Sequence, residues 1–241
     1  MGYTNFLHLC ISTFSAILHL KNTIFSTEGG LMTTYDLFLF AGQSNMAGRG
    51  IACTQFPEGA PDLISGAGAE FRAISDPTRL YPIEEPFGAL ENNPTGIFEP
   101  GMKTGSLVAS FVNTYFQNTG VPVLGLSSSK GGSVIANWQD HDDYLTDTIT
   151  RLKSAQTFCE QHNITLRHQY LLWCQGESDG DHHTSADEYT KQFMHMYEKL
   201  KAVGIEHCFL IGIGAYNGTA DDICYDEIRN AQYSFAEHRK D

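Results

Sequence analysis

Four short apolar runs stand out along the chain, each closed by Gly or polar residues: Tyr35–Ala41, Val121–Ser127, His168–Cys174 and Cys208–Ala215. Continuous runs of this length predict strands buried on both faces. Between them, apolar positions recur at helical spacing. Leu107, Phe111 and Tyr115 mark one helix, and Leu145, Ile149, Leu152 and Cys159 share a face of a second. Tyr189, Phe193, Met196, Leu200 and Val203 mark a third, which opens on the capping-box pair Ser185 and Glu188 and stops at Gly204. A fourth helix is predicted from about Asp221 to Arg239. Strands alternating with helices imply parallel pairing through right-handed crossovers, hence an α/β fold, a three-layer α/β/α sandwich around a parallel sheet. Residues 48–102 break the pattern, being rich in Gly and Pro with little periodicity. They read as a long surface excursion shaping the mouth of a site, not as a second domain.

The N-terminus has a different texture. Residues 6–20 (FLHLCISTFSAILHL) are apolar in the manner of a signal peptide, yet no Lys or Arg precedes them, two His interrupt them, and no small-x-small cleavage pattern follows. Residues 21–31 read as linker, and from Met32 a strand begins almost at once. The expected organisation is an extension over 1–31 and one folded domain over 32–241. A start near Met32 implies a cytoplasmic protein; a cleaved secretion signal and an ordered extra helix are the competing readings of the extension.

Composition narrows the function classes. The chain has 241 residues, 41% of them hydrophobic, enough for one large domain with a packed core. Fifteen Lys and Arg against 28 Asp and Glu give a net charge of −13, which removes any electrostatic reason to follow a phosphate backbone and argues against nucleic acid as a partner. Six Cys at positions 10, 53, 159, 174, 208 and 224 form no C-x-x-C pair, so they match neither a zinc site nor a small disulfide scaffold. No apolar run reaches the roughly 18 residues of a membrane span.

In an open parallel sheet, chemistry gathers just past the carboxyl ends of the strands, and three such ends carry unusual residues. In LFLFAGQSNMAGRG (37–50), Ser44 occupies a tight turn after a strand, where its hydroxyl is exposed and backbone N–H groups are available to a developing oxyanion. Taken alone, the same residues also suit a plain strand-to-helix turn. In LGLSSSKGGSVIANW (124–138), Gly131 and Gly132 allow a ligand close to the backbone, although an ordinary loop has the same composition. In LLWCQGESDG (171–180), a strand delivers Gln175, Glu177 and Asp179 into a loop, as an oxyanion donor with supporting carboxylates or simply as solvated polar residues.

In this order, GQSNM, an S-x-GG-[ST] loop ending in Asn-Trp, and W-x-QGESD resemble the sialate O-acetylesterases and acetylxylan esterases of carbohydrate esterase family six, within the SGNH hydrolase superfamily. The IRNAQ segment at 228–232 resembles the family's late Arg-Ala-Gln helix. The resemblance runs from about Tyr35 to about Gln232. It implies a flavodoxin-like SGNH hydrolase fold and a serine esterase that removes O-acetyl groups from carbohydrates without a cofactor or metal. Ser44 is then the nucleophile, the oxyanion hole comprises the Ser44 and Gly131 amides and the Gln175 side chain, and Gln43, Asn45, Gly132, Glu177 and Asp179 support or bind substrate. Arg229 and Gln232 are expected to stabilise the wall of the site.

One part of the superfamily pattern is not found. Its general base is a His three residues after an Asp, beyond the fifth strand; here the text after IRNAQ reads YSFAEHRKD. The expectation is therefore a chain lacking the last strand and the His loop. Asp179 and His182 form a D-x-x-H, read as a coincidence inside the QGESD loop, and His141, His195 and His238 read as helix or surface positions. A serine hydroxyl without a base is a poor nucleophile. Three functions remain open: an acetylesterase, a catalytically silent carbohydrate-binding remnant, and a general flavodoxin-like binding domain. The last lacks a phosphate-cradling loop.

Overall fold

A computed structural model of the chain describes residues 33–51, 61–220 and 222–238. The expectations for residues 1–31 lie outside the described residues, as does the expected domain start at Met32. The described fold opens with β1 (Thr34–Gly42), followed by the single-turn α1 (Ser44–Ala47), β2 (Gly68–Phe71), β3 (Leu80–Tyr81), α2 (Val108–Thr119) and β4 (Val123–Ser129). A 3₁₀ turn (Ile135–Trp138) leads to α3 (Asp143–Gln161), β5 (Thr165–Cys174), α4 (Glu177–Asp181), α5 (Ala186–Lys201), β6 (His207–Leu210) and α6 (Asp226–His238).

The strands form one sheet of order β3-β2-β4-β1-β5-β6, parallel except for the antiparallel β2/β3 pair. This is the α/β fold read from the sequence. The stretch β4-β1-β5-β6 has the doubly wound 2-1-3-4 order, with β2 and β3 added outside β4. The order reverses at β1/β5, where such folds open a crevice.

β1 lies at the centre and is buried on both faces, as its unbroken apolar run requires. Leu37, Leu39 and Ala41 face a core shared with Leu152 and Phe158 of α3, Phe193 and Met196 of α5 and Ile228 of α6. Phe38 and Phe40 face the other way and meet Phe111 of α2 edge-on, with ring centroids 4.9 and 5.7 Å apart. Helices thus cover both faces. α5 starts where predicted, with Ser185 Oγ accepting the Glu188 N–H at 3.3 Å, and it carries acids in its first turn and lysines in its last.

Three expectations need correction. Residues 48–102 are not merely a surface excursion, because they contribute β2 and β3 to the sheet and Phe71, Ile83, Phe87 and Ile97 to the interior. The last strand ends at Leu210 and not at Ala215, because Ile213 turns its N–H to Gln232 Oε1 at 3.0 Å instead of to a ladder. The last helix begins at Asp226, five residues later than the pattern suggested.

Candidate active site

In the β-ladder Gly42 is the partner of Ser129 on one side and Cys174 on the other, so β1, β4 and β5 end level. The three unusual sequence blocks therefore emerge at one rim. Gly42 has φ +139, and a Cβ there would lie 2.1 Å from the Cys174 carbonyl oxygen, so only glycine lets the chain leave the sheet this close to β5. Gln43 follows, buried. Its side-chain oxygen accepts the N–H groups of Gly176 at 3.1 Å and Ser178 at 3.2 Å, which clamps the turn before Ser44 to the turn after β5.

Ser44 opens α1, half-buried, and its hydroxyl has no hydrogen-bond partner among the described residues. The neighbouring Asn45 donates from Nδ2 to Glu177 Oε1. Gln43, Ser44, Asn45 and Glu177 are thus brought together at one rim. Burial pushes the Glu177 carboxyl above its ordinary range, and its Oε2 is buried without a partner among the described residues. Asp179 is also pushed up by burial. Its Oδ2 accepts the Gln175 amide and, at 2.9 Å, the Ile135 N–H, and so ties the β5 loop to the 3₁₀ turn after β4.

Gln175 is placed differently from its expected oxyanion role. It is 0% exposed, and its Nε2 donates to Ser133 O at 3.0 Å and to Asp179 Oδ2. Both amide hydrogens are spent on the protein, so this side chain braces the floor of the site and has none left for substrate. The Gln175 carbonyl is held in turn by Tyr189 Oη at 3.0 Å and Gln232 Nε2 at 2.8 Å. Gln232 packs against this carbonyl and Tyr189 Oη, whereas Arg229 pairs with Asp226 on its own helix at 2.8 Å.

The Gly131 N–H is likewise engaged, donating to Glu99 Oε1 at 2.7 Å. Gly132 is exposed, and its N–H has no acceptor among the described residues. Sequence reasoning missed Glu99 and the Arg49 that pairs with it at 2.5 Å. Glu99 sits in the aperiodic stretch and Arg49 follows the Ser44 turn, so no spacing connects them.

Among the described residues, no histidine ring hydrogen-bonds to Ser44. The His182 ring turns to its own helix, to Ser178 O at 2.7 Å, and makes no hydrogen bond with Asp179. His195 pairs with Asp140 at 3.0 Å on the surface. The described residues also contain no group of three metal-ligating side chains, and no helix among them is long and apolar enough to cross a membrane.

The sequence model of a family described as carbohydrate esterase, sialic acid-specific acetylesterase, matches residues 34–238, nearly the whole described fold. The chain belongs to this family. By family it is a carboxylic ester hydrolase of the carbohydrate acetylesterase kind. No curated protein matches it. Among solved structures, a protein from Arabidopsis thaliana is similar over 81% of this chain and 79% of its own, at 20% identity and a TM-score of 0.60. NanS is similar over 86% of this chain and 75% of its own, at 15% identity and a TM-score of 0.55. These likenesses extend the fold assignment to distant relatives.

In this carbohydrate esterase the charge at the rim is uneven. Arg49 and Lys130 both approach the single buried carboxylate of Glu99, at 2.5 and 3.7 Å. Within this cluster two cations share one carboxylate beside Gly131, while Glu177 and Asp179 bring two further carboxyls to the same rim of a molecule of net charge −13. Behind the rim, Lys103 is buried with its Nζ 2.8 Å from Ser127 Oγ, and desolvation lowers it to about 8.

Proposed function

We propose that the chain removes O-acetyl groups from a sialic acid-type sugar, with Ser44 as the nucleophile. The observation that carries this reading is the hydrogen-bonded joining of the Gln43–Asn45 turn to the Gly176–Ser178 turn, which leaves the Ser44 hydroxyl unengaged between them. In the reaction, Ser44 Oγ forms a bond to the acetyl carbonyl carbon, and the carbonyl oxygen becomes an oxyanion facing the backbone amides of the rim. The bond from that carbon to the sugar oxygen breaks as the sugar oxygen takes the proton given up by the Ser44 hydroxyl, and water then splits the acyl-enzyme, releasing acetic acid and returning a proton to Ser44 Oγ. Asn45 and Glu177 hold the nucleophile turn, while Gln43, Gln175 and Asp179 fix the floor beneath it. The family's description favours a sialic acid-type sugar over a neutral xylan chain, and Arg49 and Lys130 supply cations beside Gly131 for its carboxylate.

A second reading, a carbohydrate-binding protein without turnover, is favoured by one observation: no described histidine hydrogen-bonds to Ser44. General-base assistance is worth about 10²–10⁴-fold in rate. Hydrolysis of 4-nitrophenyl acetate by the wild type and Ser44→Ala separates the two. The esterase reading expects turnover that Ser44→Ala abolishes while the melting temperature stays within about 2 °C, since losing a half-buried hydroxyl removes little packing. Binding of the acetylated sugar without acetate release would support the second reading. Turnover surviving in Ser44→Ala would mean that another residue attacks.

A further inference from the structure

Beside Ser44, one backbone amide is held by a side chain that no motif predicts. Glu99 has a side chain only 3% exposed, and its Oε1 accepts the Gly131 N–H at 2.7 Å and Arg49 Nη2 at 2.5 Å. Arg49 is itself fixed. Its Nη1 donates to Met102 O at 2.5 Å, and its backbone bridges to Gly105. The fit is close, because a Cβ on residue 131 would lie 2.2 Å from Arg49 Nη2 and 2.8 Å from Glu99 Oε1. A buried carboxylate that accepts a guanidinium and a peptide N–H together makes strong charge-assisted bonds, and here they join three segments remote in sequence.

The position of this latch gives it a consequence for the chemistry. Ser44 lies two residues past Gly42, and Gly131 lies two residues past Ser129, the ladder partner of Gly42. The Lys130 N–H also donates to Gly42 O at 2.8 Å, so the two loops leave the sheet side by side. With the Gly131 N–H committed to Glu99, the next amide along the loop is that of Gly132, whose φ of +71 turns the chain sharply and whose N–H is unengaged among the described residues.

We propose that Glu99, held by Arg49, is a positioning residue that fixes the Gly131 peptide so that the Gly132 N–H, with that of Ser44, is the one offered to the oxyanion. This rests on the reading of Ser44 as the nucleophile. Glu99 touches neither substrate nor reacting atoms and acts through the loop. Removing it releases the Gly131 N–H and lets the 130–133 loop rotate, which withdraws a donor whose loss typically costs about 10²–10³ in kcat. Binding of the rest of the ester is left largely intact.

The test uses the full chain as wild type, Ser44→Ala, Glu99→Gln and Glu99→Ala. It has two readouts: the proton shift of the Gly131 amide in a ¹⁵N–¹H spectrum, and kcat and KM for 4-nitrophenyl acetate. The wild-type Gly131 amide is expected downfield, as a donor to a carboxylate, and to move upfield in Glu99→Ala. In the same variant kcat falls about tenfold or more while KM stays within about twofold. Glu99→Gln keeps an acceptor for the Gly131 N–H and recovers part of both signals. An amide that does not move, or a kcat unchanged while only the melting temperature drops, overturns the proposal. So does a raised KM at constant kcat, which would make Glu99 a substrate contact. The amide shift needs no turnover, so turnover that persists in Ser44→Ala refutes the nucleophile and is told apart from failure of the latch.

Discussion

With φ at +139 and the Cys174 carbonyl 2.1 Å from where a Cβ would stand, residue 42 joins the core strand to the reactive turn at the expense of all side-chain tolerance. Gly42→Ala must either shift β5 or move the turn. Chemical denaturation is expected to show a loss of about 2 kcal/mol or more, with esterase activity falling further than the folded fraction; a variant of wild-type stability and activity would show that the turn yields. Lys103 tests a different physics. Its folded value, about 8, lies below the ordinary 10.5, so the fold disfavours the charged form. The penalty is fully present below pH 8, where both states are protonated. It shrinks between about pH 8 and 10.5, where the unfolded chain still holds the proton that the folded chain has lost, so stability from this group rises with pH by about 3 kcal/mol. Lys103→Met is expected to lack that rise when unfolding free energies are compared at pH 7.5 and 10; an unchanged slope would mean that Nζ is better solvated than its burial implies. At this scale, the adjacency of Gln43, Ser44, Asn45 and Glu177 is legible, because short local motifs place them at the ends of neighbouring strands. The bonding of Gln175 and Gly131 was not legible. Their partners, Ser133, Asp179 and Glu99, are set by how loops from different strands fold over one another.

β1, β4 and the second half of β5 were visible because they are buried on both faces and so are apolar, while β6, only partly buried at the edge of the sheet, was visible from its short apolar run alone. Helices α2, α3 and α5 were visible because one face of each meets that sheet. β2 and β3 carry no such mark. They have four and two residues, and β2 takes its hydrogen bonds from β4 about 55 residues later in the chain, so neither length nor periodicity distinguishes GAEF from the Gly-rich text around it. What they contribute is packing. Phe71 is fully buried and its ring lies 5.0 Å from that of Phe158 on α3, which fastens the segment before the Glu99 latch to the central core. Phe71→Ala is expected to cost about 3–5 kcal/mol in urea unfolding, the range for a large aromatic removed from a packed interior. A loss near zero would mean that residues 61–107 sit on the fold without sharing its core.

At the scale of the molecule, a chain of net charge −13 presents beside Gly131 a cluster in which Arg49 and Lys130 share the one carboxylate of Glu99. The two fields differ in reach. The net charge acts over the Debye length, about 30 Å at 0.01 M salt and about 8 Å at 0.15 M, while the rim cations act at contact, where salt screens them less. If the substrate is the carboxylated, acetylated sugar proposed above, the net charge repels it on approach and the cluster cations attract it at contact. Raising salt from about 0.01 to 0.15 M is expected to increase kcat/KM for such a sugar several-fold by relieving the long-range repulsion, and to leave a neutral aryl acetate nearly unchanged. Lys130→Gln separates the terms, since it removes one contact charge of a molecule whose overall charge barely alters: KM for the acidic sugar rises while the direction of the salt response stays the same. Measuring both esters across the salt series in both proteins checks each part. If the neutral ester gains as much as the acidic one, salt is acting on the enzyme and not on the encounter. If the acidic sugar slows as salt rises, the rim cations and not the net charge govern its approach.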